Sequence, residues 1–217
     1  MLDTVSLAGV EPHKDPHLVD FCDRFLKVFA PGVTTIETGD HMLDLSRQEP
    51  PTDLKPAAVL IPVITRPVGA TVLLTKRTAT LSSHAGQIAF PGGRVDLEDG
   101  TILSTALREA REEVGLVPGQ VHLLGKMHPY KTGSGYDITP VVGLVKTPVE
   151  LIASPDEVDE IFEVPLSFLM ESANYQRVER EWKGAKRQTY AIPYNAHYIW
   201  GVTAGILRTL YETLYRP

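Results

Sequence analysis

The sequence predicts a mixed α/β (α+β) fold, and three observations carry that reading. Apolar residues recur at helical spacing in segments 16–29, 101–114 and 199–215. Runs rich in β-branched residues lie between them. The two kinds of segment interleave without the regular βαβ rhythm of a doubly wound sheet.

The first helix rests on Leu18, Phe21, Cys22, Phe25, Leu26 and Phe29, with Pro31-Gly32 to stop it. Residues 39–56, with Pro50, Pro51 and Pro56, read as a loop leading into the main body. Segments 57–65 and 71–77 are separated by Arg66-Pro-Val-Gly-Ala70 and read as a hairpin. Ile88-Ala-Phe90 is a short strand feeding a Pro-Gly-Gly turn. The second helix runs from Thr101 to Val114, and Ile102, Leu103, Ala106, Leu107, Ala110 and Val114 form its apolar stripe. Gly115 is the expected left-handed cap at its end. Strands follow at 121–127, 138–145 and 161–164, then a helix over 165–170 with Pro in its first turn. A strand at 187–192 and a helix at 199–215 complete the series, with Trp200 and Thr203 expected to pack that helix on the sheet.

With 217 residues, 43% of them hydrophobic, the chain can bury a sizeable core. Its net charge of -6 gives no broad attraction for nucleic acid or for an anionic membrane surface. No apolar run approaches membrane-spanning length. Residues 1–10 lack a basic region and a following apolar stretch, so no secretory signal is expected. One cysteine, Cys22, cannot form an internal disulfide and fits a reducing, cytoplasmic setting, where it reads as a buried structural thiol.

The segment from Phe90 to Leu116 carries the chemistry. Gly92 and Gly93 precede a loop, and the helix beyond bears Arg108, Glu109, Glu112 and Glu113. The three carboxylates stand at i, i+3 and i+4, within an arc of about 100° on one helix face. Like charges that close destabilise a helix, and a hard divalent cation with oxygen ligands offsets the repulsion. The ordinary alternative is a solvated acidic face. The Phe-Pro-Gly-Gly before the helix and Gly115 after it argue against that.

These residues resemble the signature of the Nudix hydrolase superfamily. The pattern from Arg108 through Glu109, Glu112, Glu113 and Gly115 to Leu116 matches throughout. Upstream it departs: Asp99 stands where the pattern has Glu, and eight residues rather than seven separate it from Arg108. We read a loop one residue longer, which leaves Asp99 without an assigned role. The resemblance implies an α-β-α sandwich around a mixed sheet, with residues 1–55 a helix-and-loop extension packed on a Nudix domain at 56–217. It also implies Mg²⁺ or Mn²⁺ and hydrolysis of a nucleoside diphosphate linked to another group. Glu109 and Glu113 are then the first metal ligands, Glu112 a further ligand or water-orienting base, and the Gly92 carbonyl a completing donor. Arg108, four residues before Glu112, is a brace. A general base from a later loop points to the acidic run 156–160, with Glu157 the first choice within it, although a solvated loop of charges is the favoured reading of that run.

A second likeness lies upstream. Leu73, Leu74, Thr75, Arg77, Gly86 and Phe90 to Gly93 are in register with a motif of the coenzyme A pyrophosphatase branch of that superfamily. Two positions depart from it: Thr78 replaces Ser or Ala, and Ser82 stands where a second Arg is expected. The likeness continues through Ser154-Pro-Asp-Glu-Val158 and Ile199 to Ala204. It implies cleavage of coenzyme A or its thioesters to 3′,5′-ADP and 4′-phosphopantetheine, with Arg77, Lys76, His84 and Gly93 as substrate contacts. Alternatives are the same reaction on ADP-ribose, NADH or a nucleotide sugar, and a non-catalytic ligand sensor. The expected partner is a small nucleotide substrate, and family analogy adds a homodimer.

Overall fold

Two strands without a polar face organise the molecule: β2 (Lys55–Ile64) and β8 (Tyr136–Val145), parallel and in register from Lys55↔Tyr136 to Ile64↔Val145. A strand buried on both sides reads as a continuous apolar run, as these do. Their side chains alternate between two cores. Ala58, Leu60, Ile64, Val141 and Val145 pack with Ala106, Ala110 and Val114 of α2 (Ile102–Val114). Ile61, Val63, Val142 and Leu144 pack with Leu18, Phe21 and Phe25 of α1 (Pro16–Val28) and Leu207 and Leu210 of α4 (Val202–Tyr215). A mixed sheet thus lies between helical layers, as the fold expectation required. The computed structural model describes residues 15–29, 38–39, 42, 53–80, 84–182 and 185–216, with backbone alone at 38, 182 and 185. Pro31-Gly32, Pro50, Pro51 and Ser82 fall outside the described residues.

Around β2 and β8 stand β1 (Thr38–Gly39), β3 (Thr71–Arg77), β4 (Ile88–Ala89), β5 (Gly92–Arg94), β6 (Val121–Lys126), β7 (Tyr130–Lys131) and β9 (Val158–Pro165). A separate antiparallel sheet comprises β10 (Gln176–Trp182), β11 (Ala185–Tyr194) and β12 (His197–Trp200). A short helix, α3 (Leu166–Leu169), follows β9.

Local chemistry sets the helix ends. Asp15 caps α1 by accepting from the backbone of His17 and Leu18 at 3.0 and 3.3 Å, and its other oxygen accepts from Ala70 N at 2.6 Å. One carboxylate therefore fixes the helix start against the β2–β3 turn. Leu18, Phe21 and Phe25 are at most 1% exposed. Each contributes roughly 1.5–3 kcal/mol by burial. Cys22 is buried as expected, and burial pushes its thiol up to about 12. Thr101 caps α2 through Ser104 N at 3.1 Å. Gly115 closes it in the left-handed region at φ 72°, the conformation glycine adopts without a Cβ clash.

Four expectations are corrected. The hairpin of β2 and β3 is present but extends over only two register pairs, Val63↔Val72 and Ile64↔Thr71, because further along β2 pairs with β5 and β3 with β4. Pro165 ends β9 and precedes α3 instead of standing in its first turn. The last helix starts at Val202, not Ile199: Ile199 and Trp200 complete β12, and Gly201 at φ 66° turns the chain. Gly92 and Gly93, read as a turn, pair with β2 as strand β5.

Candidate active site

Strand β5 packs against β2 and faces helix α2, and its two glycines make room for different neighbours. A Cβ at Gly92 would overlap the Ala58 carbonyl and Val59, so Gly92 lets β5 lie against β2. A Cβ at Gly93 would overlap only the Glu109 carboxylate. Gly93 therefore makes room for an acidic side chain.

The three helical carboxylates occupy different environments. Glu113 is 2% exposed. The Gly92 backbone N–H donates to it, and Arg77 Nη1 lies 3.5 Å from its Oε1. Burial pushes its pKa up to about 8, against the pull of Arg77 and with the push of the Glu109 and Glu157 charges. Burial also raises the pKa of Glu109. Its Oε1 accepts from Arg108 Nη1 at 2.9 Å. Glu112 has a side chain 55% exposed at the edge, where it accepts from the same nitrogen at 2.9 Å. The loop before β9 runs beside the end of α2, where Ser154 N–H donates to the Glu113 carbonyl at 2.8 Å, and the Glu157 charge adds to the rise of both Glu109 and Glu113.

Arg108 is a brace, though its main partner is one the sequence reading left unassigned. Asp99 accepts from Arg108 Nε at 2.7 Å and Nη2 at 3.0 Å, from Thr105 Oγ1 at 2.8 Å and from Asp96 N at 2.9 Å. The extra loop residue thus folds Asp99 back onto the helix start. The spacing of Asp99 and Arg108, nine positions apart across a loop, held no local signal for this contact.

Among the substrate candidates, Arg77 enters the cleft and Lys76 does not: Lys76 Nζ pairs with Asp159 at 2.8 Å. Among the described residues Arg77 Nε is buried without a hydrogen-bond partner, an unusual state for a guanidinium donor. Arg77, Gly92 and Gly93 line a cavity of about 290 Å³ that also takes in His84 and Trp200. His84 sits at its mouth, Nδ1 2.8 Å from Gln87 Oε1. Thr203 packs α4 on the sheet by donating to the Ile88 carbonyl at 2.9 Å. Trp200, expected to share that task, lines the cavity instead.

The donor set fits a hard divalent cation. Glu109 and Glu113 are oxygen donors whose burial disfavours their own charge, and an added positive charge would relieve that cost. Among the described residues no three acidic, histidine or cysteine side chains already stand in coordinating positions. Glu109 is held by Arg108 and Glu113 faces Arg77, so guanidinium groups balance part of the charge of these carboxylates.

Residues 54–186 match the NUDIX domain family model, and the chain belongs to the Nudix family. It is 39% identical over 194 residues to the "Uncharacterized Nudix hydrolase NudL" of Yersinia pestis (strain Pestoides F), covering 89% of this chain and 93% of the relative. The protein of the same description from Yersinia pseudotuberculosis serotype O:1b (strain IP 31758) matches to the same extent. Among solved structures, a MutT/nudix family protein from Enterococcus faecalis aligns at 18% identity with a TM-score of 0.46, over 79% of this chain and 64% of that one. The reaction class is thus hydrolysis of a pyrophosphate bond in a nucleoside diphosphate derivative. Among the described residues no helix is long and apolar enough to cross a membrane.

Proposed function

We propose that this hydrolase cleaves the diphosphate of coenzyme A or its thioesters to 3′,5′-ADP and 4′-phosphopantetheine, with Mg²⁺ or Mn²⁺. The observation that carries this reading is Arg77, a residue of the coenzyme A motif. It lines the cavity, with its guanidinium Nη1 3.5 Å from Glu113 Oε1. A guanidinium so placed is shaped to grip a phosphate oxygen.

Glu109 and Glu113 would hold the cation, with the Gly92 carbonyl and Glu112 completing its shell. When bound, the cation neutralises diphosphate oxygens and lowers the pKa of attacking water. Gly93 keeps the Glu109 carboxylate in place, and Arg108, anchored on Asp99, fixes the helix face. Glu157 takes the proton from the water as it attacks, from a loop whose charge already acts on Glu109 and Glu113. Arg77 orients the diphosphate and balances its charge. His84 contributes at the cavity mouth, while Lys76 would have to leave Asp159 to reach substrate.

One observation favours a second reading. Ser82 replaces the motif's second Arg, which favours the same chemistry on ADP-ribose, NADH or a nucleotide sugar. Retention of the acidic trio speaks against a non-catalytic sensor. Incubating purified protein and Mg²⁺ with coenzyme A, ADP-ribose, NADH and nucleoside triphosphates, with products identified by mass, separates these readings. Fastest release of 3′,5′-ADP from coenzyme A supports the proposal. AMP from ADP-ribose or NADH alone replaces it with the second reading.

A further inference from the structure

Next to the 290 Å³ cavity lies another of about 170 Å³, and its wall is doubly cationic. Strands β10 and β11 pair so that Arg180 stands directly opposite Arg187. Side chains directly opposite in an antiparallel pair share a face, and like charges so placed repel. Both arginines line the smaller cavity. Among the described residues neither forms an ion pair: Arg180 makes only aromatic contacts, and no further partner exists for either. Glu179 pairs with Lys186 at 2.8 Å, and Glu181, which lines the same cavity, makes no ion pair among the described residues, so the two arginines leave the lining with positive charge in excess.

The Arg180 guanidinium is also held in place. The Arg180 guanidinium carbon lies 4.3 Å from the centre of the Trp200 ring and 5.4 Å from that of Tyr198. Stacking fixes the plane of the group while leaving its N–H edge free to donate. Trp200 in turn lines both cavities, together with His84, Gln87, Ser134 and Val202. A ligand seated at Arg77 and Gly93 therefore extends past Trp200 to the arginine pair without leaving the cleft. On a chain of net charge -6, two adjacent unpaired arginines in a cavity call for an anion.

We propose that Arg180 and Arg187, with Trp200 beside them, form a subsite for a phosphate monoester on the nucleoside half of the substrate, separate from the diphosphate being cut. The proposal rests on the nucleoside diphosphate reading and names the substrate class within it: nucleotides bearing an additional ribose phosphate. Arg187 and Arg180 donate to the monoester oxygens, and Trp200 packs against the sugar or base between the two anions.

Binding without turnover tests it. Adenosine 3′,5′-bisphosphate, adenosine 2′,5′-bisphosphate and 5′-AMP contain no diphosphate to hydrolyse, and calorimetric titration of the full chain compares them. One bisphosphate should bind at least about ten-fold more tightly than 5′-AMP, and which of them does identifies the position of the phosphate. In Arg180→Gln/Arg187→Gln that advantage should be lost; Arg187→Gln alone, which leaves the Arg180–Trp200 stack, should lose most of it and covers failure of the double variant to fold. Equal affinities in the wild type, or an advantage that survives these substitutions, overturn the subsite. Turnover of coenzyme A, ADP-ribose and NADH by the wild type reports separately on the reaction. A bisphosphate preference in a protein that hydrolyses none of them supports the subsite while refuting the hydrolase reading.

Discussion

Arg108 grips Asp99 with two of its nitrogens, Nε at 2.7 Å from Oδ1 and Nη2 at 3.0 Å from Oδ2, while its third nitrogen reaches Glu109 and Glu112. The loop ahead of the helix is therefore tied to the helix face that carries the metal-ligand candidates. Substituting Asp99→Asn removes the charge of the anchoring carboxylate, whose side chain is only 4% exposed. A fall in Tm of roughly 6–20 °C at pH 7 is expected, the scale of a broken buried ion pair in a chain of this size. Turnover should fall with it, because Arg108 is freed to swing.

Acid adds a signature to the same variant. The Arg108 guanidinium holds the Asp99 carboxyl well below the usual carboxylate range. A carboxylate depressed in the folded state contributes stability that is complete above its unfolded pKa, near pH 4, and lost as pH falls through the folded value. The stability gap between wild type and Asp99→Asn should therefore be full at pH 5 to 7 and narrow below pH 4. Urea midpoints across that range provide the check, and a gap that widened in acid would contradict it.

Glu113→Gln should uncouple stability from activity. A carboxylate 2% exposed beside the charges of Glu109 and Glu157 is costly without a cation. The amide removes that cost, so the ion-free variant should be more stable than wild type by roughly 1 kcal/mol. Its turnover should fall by more than about 100-fold, since losing a ligand exceeds the usual effect of losing a ligand's support. Thermal melts without metal and steady-state rates with Mg²⁺ measure the two halves.

The adjacent glycines should fail differently. Gly92→Ala forces a methyl into the Ala58 carbonyl and Val59. A destabilisation of about 2 kcal/mol or more follows, as for overpacking against backbone. Gly93→Ala meets only the mobile end of Glu109. It should fold with a loss below about 1 kcal/mol yet lose at least ten-fold in kcat/KM, because Glu109 is displaced. Equal effects of the two substitutions on stability would refute this division.

Arg77→Lys keeps the charge and removes the planar fork. The variant should stay folded while kcat/KM drops roughly ten- to a hundred-fold, the difference between a guanidinium and a point charge at a phosphate. Wild-type kinetics in this variant would remove Arg77 from the phosphate site.

Much of this architecture was legible from residue pattern, and the exceptions have physical causes. Helix α2 declared both ends through Thr101 and Gly115, and α1 its start through Pro16, residues whose backbone preferences fix a boundary locally. β10 gave no signal: Gln176-Arg-Val-Glu-Arg-Glu-Trp182 is polar and charged and owes its strand to cross-strand pairing with β11. The parallel pairing of β2 with β8 is likewise decided far along the chain. At the site, the helical carboxylates were evident from spacing. That Glu112 would face solvent while Glu113 is buried depends on how α2 is rotated over β5, which periodicity alone leaves open. The Asp99 anchor and the arginine pair arise from contacts between separate elements.

The central claim is that Glu109 and Glu113 hold a divalent cation against a diphosphate, and Mn²⁺ in crystals soaked with a non-hydrolysable nucleotide diphosphate tests it most directly. The anomalous signal should place manganese about 2.0–2.3 Å from carboxylate oxygens of both residues and from an oxygen of the diphosphate. Manganese bound elsewhere, with Glu109 still on Arg108 and Glu113 still facing Arg77 while the nucleotide is present, would contradict it.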